Sequence, residues 1–110
     1  MARYGSSILQ SLKTTTSKLD SPAVIFQTDD LSRLNTVVII PLTTQLKRSG
    51  FASTVLIPAK EAGLDHPSVA LCHQIRVIDC RKLKNKIGEL SLERLSEIEI
   101  TVVFVLGIPS

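Results

Sequence analysis

The chain of 110 residues has no tryptophan, one tyrosine and three phenylalanines. So sparse an aromatic set argues against a broad platform for stacking nucleic-acid bases. Two cysteines, Cys72 and Cys80, are too few for a disulfide framework and lack C-x-x-C spacing, so both are expected to be reduced. His66 and His73 do not complete a metal set with them, and no metal or other cofactor is expected. No apolar run is long enough to span a bilayer, and no basic segment leads into a long apolar one as in a signal peptide. That makes the cytoplasm the default location and gives no reason to expect a membrane partner. Internal repeats and low-complexity domains are also absent.

What is present bounds the fold. This length suits one domain with a modest core and is too short for two. The net charge of +3 is unevenly spread. Arg76, Arg81, Lys82, Lys84 and Lys86 crowd together against Asp79, and Lys47 and Arg48 form a second basic spot. Glu89, Glu93, Glu97 and Glu99 make the C-terminal segment acidic. Basic patches of this kind can neutralise phosphates, although charge alone more often marks a solvated rim.

From Pro22 onward the pattern is mainly β. Ala23–Gln27 is apolar, with β-branched and aromatic residues. Thr36–Leu42 is apolar on both faces, as in a central strand, and Pro41 marks its exit or a bulge. Ser53–Ile57 reads as a strand stopped by Pro58. Val69–Ile78 reads as the longest strand, with Val69, Leu71, His73, Ile75 and Val77 on one face. Ala70, Cys72, Gln74, Arg76 and Ile78 then fall on the other. Lys86–Leu90 suggests a short last strand. Ser91 is placed to cap a helix carrying Leu92, Leu95, Ile98, Val102, Val103 and Leu106 on one stripe, with Gly107 and Pro109 as its stop. Its β-branched stretch, Ile98–Val105, competes for strand by propensity, but cap, stripe and stop favour helix. Before Pro22, Ser11–Ser21 is polar, threonine-rich and without a core pattern, so it is expected to be flexible. Ile8, Leu9 and Leu12 fit a helix after Ser6 or a ragged strand. Short strands, a terminal helix and no βαβ alternation predict a small antiparallel barrel.

Three blocks sharpen this reading: PAVIFQTDD from Pro22, TVVIIPLTT from Thr36 and SVALCHQIRVID from Ser68. In order and spacing they resemble the MazF/PemK family of toxin endoribonucleases, over roughly Pro22 to Gly107. The resemblance implies a mainly β fold, an SH3-like small β-barrel of the CcdB type with a C-terminal helix. It divides the chain into a divergent segment, 1–21, and a barrel domain, 22–110. It also implies a homodimer that cuts single-stranded RNA without a metal, as the toxin of a type II toxin–antitoxin system. An antitoxin with an acidic tail would block the site.

Metal-free RNA cleavage uses the ribose 2′-hydroxyl as nucleophile, a group that DNA lacks. The reaction needs a proton acceptor, a proton donor and stabilisation of an anionic phosphorane. In the family an arginine and a threonine meet these needs. The threonine corresponds to Thr43, whose hydroxyl can donate to a phosphate oxygen. The arginine belongs to an R-P dipeptide, and here that position is Ser21, before Pro22. Serine hydrogen-bonds but carries no charge and offers no bidentate fork. Lys18 is the nearest cation. The opening R-G-D/E block survives only as Arg3-Tyr4-Gly5, and the G-S-E loop has no counterpart.

Gln74 and Arg76 match the Q-I-R part of another family block, placing Gln74 at bases and Arg76 at phosphate. For Arg76, a surface pair with Asp79 is the plainer alternative. Thr44 and Lys47 complete the expected RNA contacts. His73 replaces an acidic residue and is expected to be structural. Asp29 and Asp30 read as loop caps. Ser21 opens a second possibility, a folded member that retains antitoxin or RNA binding without efficient cleavage. A third reading is a small interaction domain whose apolar helix, Leu92–Leu106, is the partner surface.

Overall fold

The computed structural model describes residues 13–17, 22–27 and 34–108. Seven strands are present among them: β1 (Lys13–Ser17), β2 (Pro22–Ile25), β3 (Thr36–Thr43), β4 (Thr54–Ile57), β5 (Ser68–Leu71), β6 (Arg76–Asp79) and β7 (Leu83–Glu89). One α-helix, α1 (Leu92–Leu106), follows. Every pairing is antiparallel, in the order β4-β5-β3-β2-β1-β7, with β6 also on β3. The fold is therefore mainly antiparallel β with a C-terminal helix. No described helix is long and apolar enough to cross a membrane.

β3 is the central strand that its two apolar faces predict. β2 pairs with it on one flank, while β6 and β5 share the other. Its even positions Ile40 and Leu42 enter the main core, and its odd positions Val37 and Ile39 enter a second, smaller cluster. Both faces are thus occupied, which is why alternation is invisible in the sequence. Pro41 does not end the strand. It lies where the flanking partner changes from β6 to β5, an interruption that tolerates a residue without an N–H.

The expected single strand Val69–Ile78 is in fact two. A 3-10 turn, Cys72–Gln74, separates β5 from β6. Ala70 pairs with Leu42, but Arg76 already pairs with Ile39. Five residues of this segment thus lie opposite two of β3, so the simple alternation fails across the break. Val77 is left exposed, and so is His73, which is not the apolar-face residue expected. Hydrophobic alternation alone could not reveal an internal break between two runs of similar composition.

The Ser11–Ser21 stretch, expected to be flexible, contains β1, which pairs with both β2 and β7. Backbone pairing on two flanks and the β-preference of threonine outweigh its lack of apolar pattern. The expected last strand is longer than read, beginning at Leu83.

The two ends of the strand order are brought together through glycine. The turn after β4, Glu61–Gly63, packs backbone to backbone on β7. A Cβ on Gly63 would lie 1.7 Å from the Ile87 carbonyl oxygen, and one on Gly88 2.3 Å from the Ala62 carbonyl carbon. The main core fills the space between, from Val24, Ile40, Val55 and Ile57 to Leu95, Ile98 and Val102 of α1.

Helix α1 starts and stops where the sequence indicates. The Arg94 N–H donates to the Ser91 hydroxyl at 3.2 Å, and Gly107 closes the end at φ +69°. Its buried seam is narrower than the predicted stripe, because Leu92 and Leu106 are more than half exposed. The helix is roughly 22 Å long, whereas a strand of β4's length spans only about 13 Å, so the ends overhang. Arg94 fastens the near end: its guanidinium donates to Glu61 at 3.1 and 3.3 Å and also to Glu97.

Candidate nucleic-acid interface

Thr43 is the last residue of β3 and is half-buried. By alternation it lies with Val37, Ile39 and Pro41, on the face opposite the one that Ile40 and Leu42 send into the main core. The Gln45 N–H donates to the Thr43 hydroxyl oxygen at 3.2 Å. That bond uses the oxygen as acceptor and leaves its proton to donate elsewhere. Thr44 beside it is exposed.

The chain from Thr44 to Ser53 crosses from the end of β3 to the start of β4. Within it the 3-10 turn Leu46–Arg48 packs on β5. Lys47 on this turn is exposed and Arg48 half-buried. β5 is buried throughout: Ala70 faces the main core, while Val69 and Leu71 alternate to the other side. The turn that carries both cations thus lies against β5, the strand whose Val69 pairs with Thr43.

Arg76 is exposed and stands opposite Ile39, on the same face of the ladder as Thr43. It is not the partner of Asp79. Arg81 takes that carboxylate with two donors, at 3.1 Å from Nε and 2.8 Å from Nη2, and Asp79 also accepts from the Arg81 N–H at 2.8 Å. The Arg81 hydrogen bonds hold the Asp79 carboxyl down at about 2. Gln74, half-buried, ends the 3-10 turn between β5 and β6, beside the middle of β3. The structure thus strings Thr43, Gln74 and Arg76 along β3, with Lys47 on the turn that packs on β5.

Thr43 lies four positions beyond Ile39, roughly 13 Å along the strand. Ser21, Lys18, Asp29, Asp30 and the Arg3-Tyr4-Gly5 remnant lie outside the described residues. Cys72 is buried, and burial pushes its thiol up to about 11, so it is no nucleophile at neutral pH. Both cysteines are free, as expected. Phe51, at the far end of the crossover, is an exposed aromatic that sequence patterning does not single out. The signal available was an aromatic directly after Gly50, outside any apolar alternation.

The family model described as PemK-like, MazF-like toxin of type II toxin-antitoxin system matches residues 9–106. The chain belongs to this family. The match begins well before Pro22, in keeping with the place of β1 inside the sheet. Solved structures agree on the fold. The Mycobacterium tuberculosis toxin MazF-mt6 superposes with a TM-score of 0.77 at 22% identity, covering 91% of this chain and 99% of that one. An endoribonuclease from a mycobacterial species, solved in complex with its cognate antitoxin, gives 0.75 at 18% identity over 91% and 94% of the two chains. A MazE-MazF structure from Deinococcus radiodurans gives 0.74 at 19% identity over 88% and 94%.

Proposed function

We propose that this family member is a metal-independent endoribonuclease acting on single-stranded RNA in the cytoplasm, as the homodimeric toxin of a type II toxin–antitoxin pair. An antitoxin with an acidic tail would compete for the same basic surface. The observation that carries the reading is Thr43: its hydroxyl, already accepting from the Gln45 N–H, sits at the exit of β3 with a proton free to donate. In the reaction the 2′-oxygen bonds to phosphorus as the P–O5′ bond breaks. The 2′ proton leaves to a base, and the departing 5′-oxygen takes up a proton. Thr43 donates to a non-bridging oxygen of the phosphorane, whose charge exceeds that of the starting diester, so the bond strengthens in the transition state. Arg76 and Lys47 hold flanking phosphates, and Gln74 offers both donor and acceptor to a base edge.

Ser21, where the family has arginine, supports a second reading: a member that binds antitoxin or RNA and cleaves poorly. Losing one charged transition-state contact costs on the order of 3 kcal/mol, about a hundredfold in rate. Incubating a long single-stranded RNA with purified protein in EDTA separates the two. Cuts that vanish in Thr43→Ala support the nuclease. A folded protein that makes no cuts, but gains them in Ser21→Arg, selects the second reading.

A further inference from the structure

Phe51 is 64% exposed, a large apolar ring left in water. Its backbone is nonetheless fixed. Gly50 precedes it at φ +86°, and the Phe51 carbonyl accepts from the Thr54 N–H at 3.0 Å and the Thr54 hydroxyl at 2.9 Å. Two residues on, the Ser53 carbonyl accepts from the Cys72 N–H at 3.1 Å. That bond brings the end of the crossover against the 3-10 turn carrying exposed His73 and half-buried Gln74.

The crossover that carries the ring also carries cations. Lys47 and Arg48 precede it on the same crossover, and Arg76 follows Gln74 by two residues. Among the described residues no ion pair engages these three cations, and the carboxylates of Asp79, Glu61 and Glu97 are paired with Arg81 and Arg94. A ring exposed on the same crossover as two cations, with the end of that crossover hydrogen-bonded to the turn that bears a side-chain amide, matches a ligand that has both a π-face and an anionic backbone. A purely apolar partner would leave those cations and the amide without counterparts.

We propose that Phe51 is a base-stacking residue of a single-stranded RNA track that includes Lys47, Arg48 and Gln74. The inference rests on the RNA-directed reading above and adds a contact away from the scissile phosphate. Every base has a π-face, so Phe51 supplies affinity and register while Gln74 reads an edge.

The test is fluorescence anisotropy of a labelled 2′-O-methyl oligoribonucleotide in EDTA, with the whole chain. Such RNA lacks the free 2′-hydroxyl and is not cut. Phe51→Ala and Phe51→Leu are expected to weaken binding about tenfold or more, while Phe51→Tyr binds like the wild type. Lys47→Gln lowers the dependence of log K on log salt by about 0.7, whereas Phe51→Ala leaves that slope unchanged. Wild-type affinity in Phe51→Ala, or full rescue by Phe51→Leu, overturns the stacking role and leaves the nuclease reading standing. A changed sedimentation mass in Phe51→Ala with RNA affinity intact marks a protein contact and also overturns it. A wild type that binds no RNA brings down the underlying reading as well.

Discussion

At the residue scale, the two arginines beside carboxylates do different work. Arg81 is exposed, and its pairing with Asp79 shapes the turn leaving β6. Arg94 is largely buried and ties α1 to the turn after β4. The Asp79 pair makes a pH prediction. Its carboxyl is lowered from 3.8 to about 2, so the ionised form is favoured by folding. Its contribution is present above about 3.8 and disappears as pH falls through about 2. Asp79→Asn is therefore expected to lower the urea midpoint at neutral pH, with the gap to wild type closing as the pH is taken down to about 2. A gap that stays constant down to that pH would show that the carboxylate charge is not what matters.

At the element scale, two contacts decide stability. The seam of α1 is narrow, and Ile98 at its centre is fully buried. Ile98→Ala should cost about 2–5 kcal/mol, whereas Leu92→Ala, on the overhanging end, should stay within about 0.5 kcal/mol. Urea unfolding of both variants measures this directly, and equal costs would mean the stripe is buried along its whole length. The second contact is the glycine closure between the turn after β4 and β7. A methyl on Gly88 meets backbone atoms of Ala62 and Gly63, which cannot rotate aside as a side chain would. Gly88→Ala should lower stability by about 1–3 kcal/mol, with a visible loss of thermal midpoint. A neutral result would mean that β7 shifts freely against this turn.

At the scale of the whole molecule, the sheet divides its faces between two tasks. One face holds the main core and α1. The other carries a small apolar cluster, Thr43 and Arg76. Ile100 and Phe104 on α1 remain exposed, as do Leu106 and Ile108 near its end. The proposed homodimer predicts sedimentation at micromolar concentration as twice the 12.0 kDa chain mass. A single chain mass across that range would count against it.

The sequence by itself determined the elements whose signals are local. Ser91 and Gly107 mark α1 because a hydroxyl cap and a left-handed stop act on adjacent backbone. The doubly apolar run at Thr36 marks β3 because a strand paired on both sides buries both faces. Thr43 was legible only as a match to a family block, whereas Gln74 and Arg76 also stood out as the polar groups on one face of an alternating run. Tertiary structure alone decided the rest. β1 exists because two neighbours pair with a threonine run that has no core pattern of its own. Val69–Ile78 breaks because β3 is shared between two partner strands, and that sharing displaces β6 by three residues relative to β5. The same break exposes His73 and sets Gln74 beside β3. Asp79 turns to Arg81 rather than Arg76 because a tight 3-10 turn places Arg81 within two-donor reach. Local free energies are written in neighbouring residues. Pairing across the sheet depends on residues far apart in the chain, and a one-dimensional pattern does not contain it.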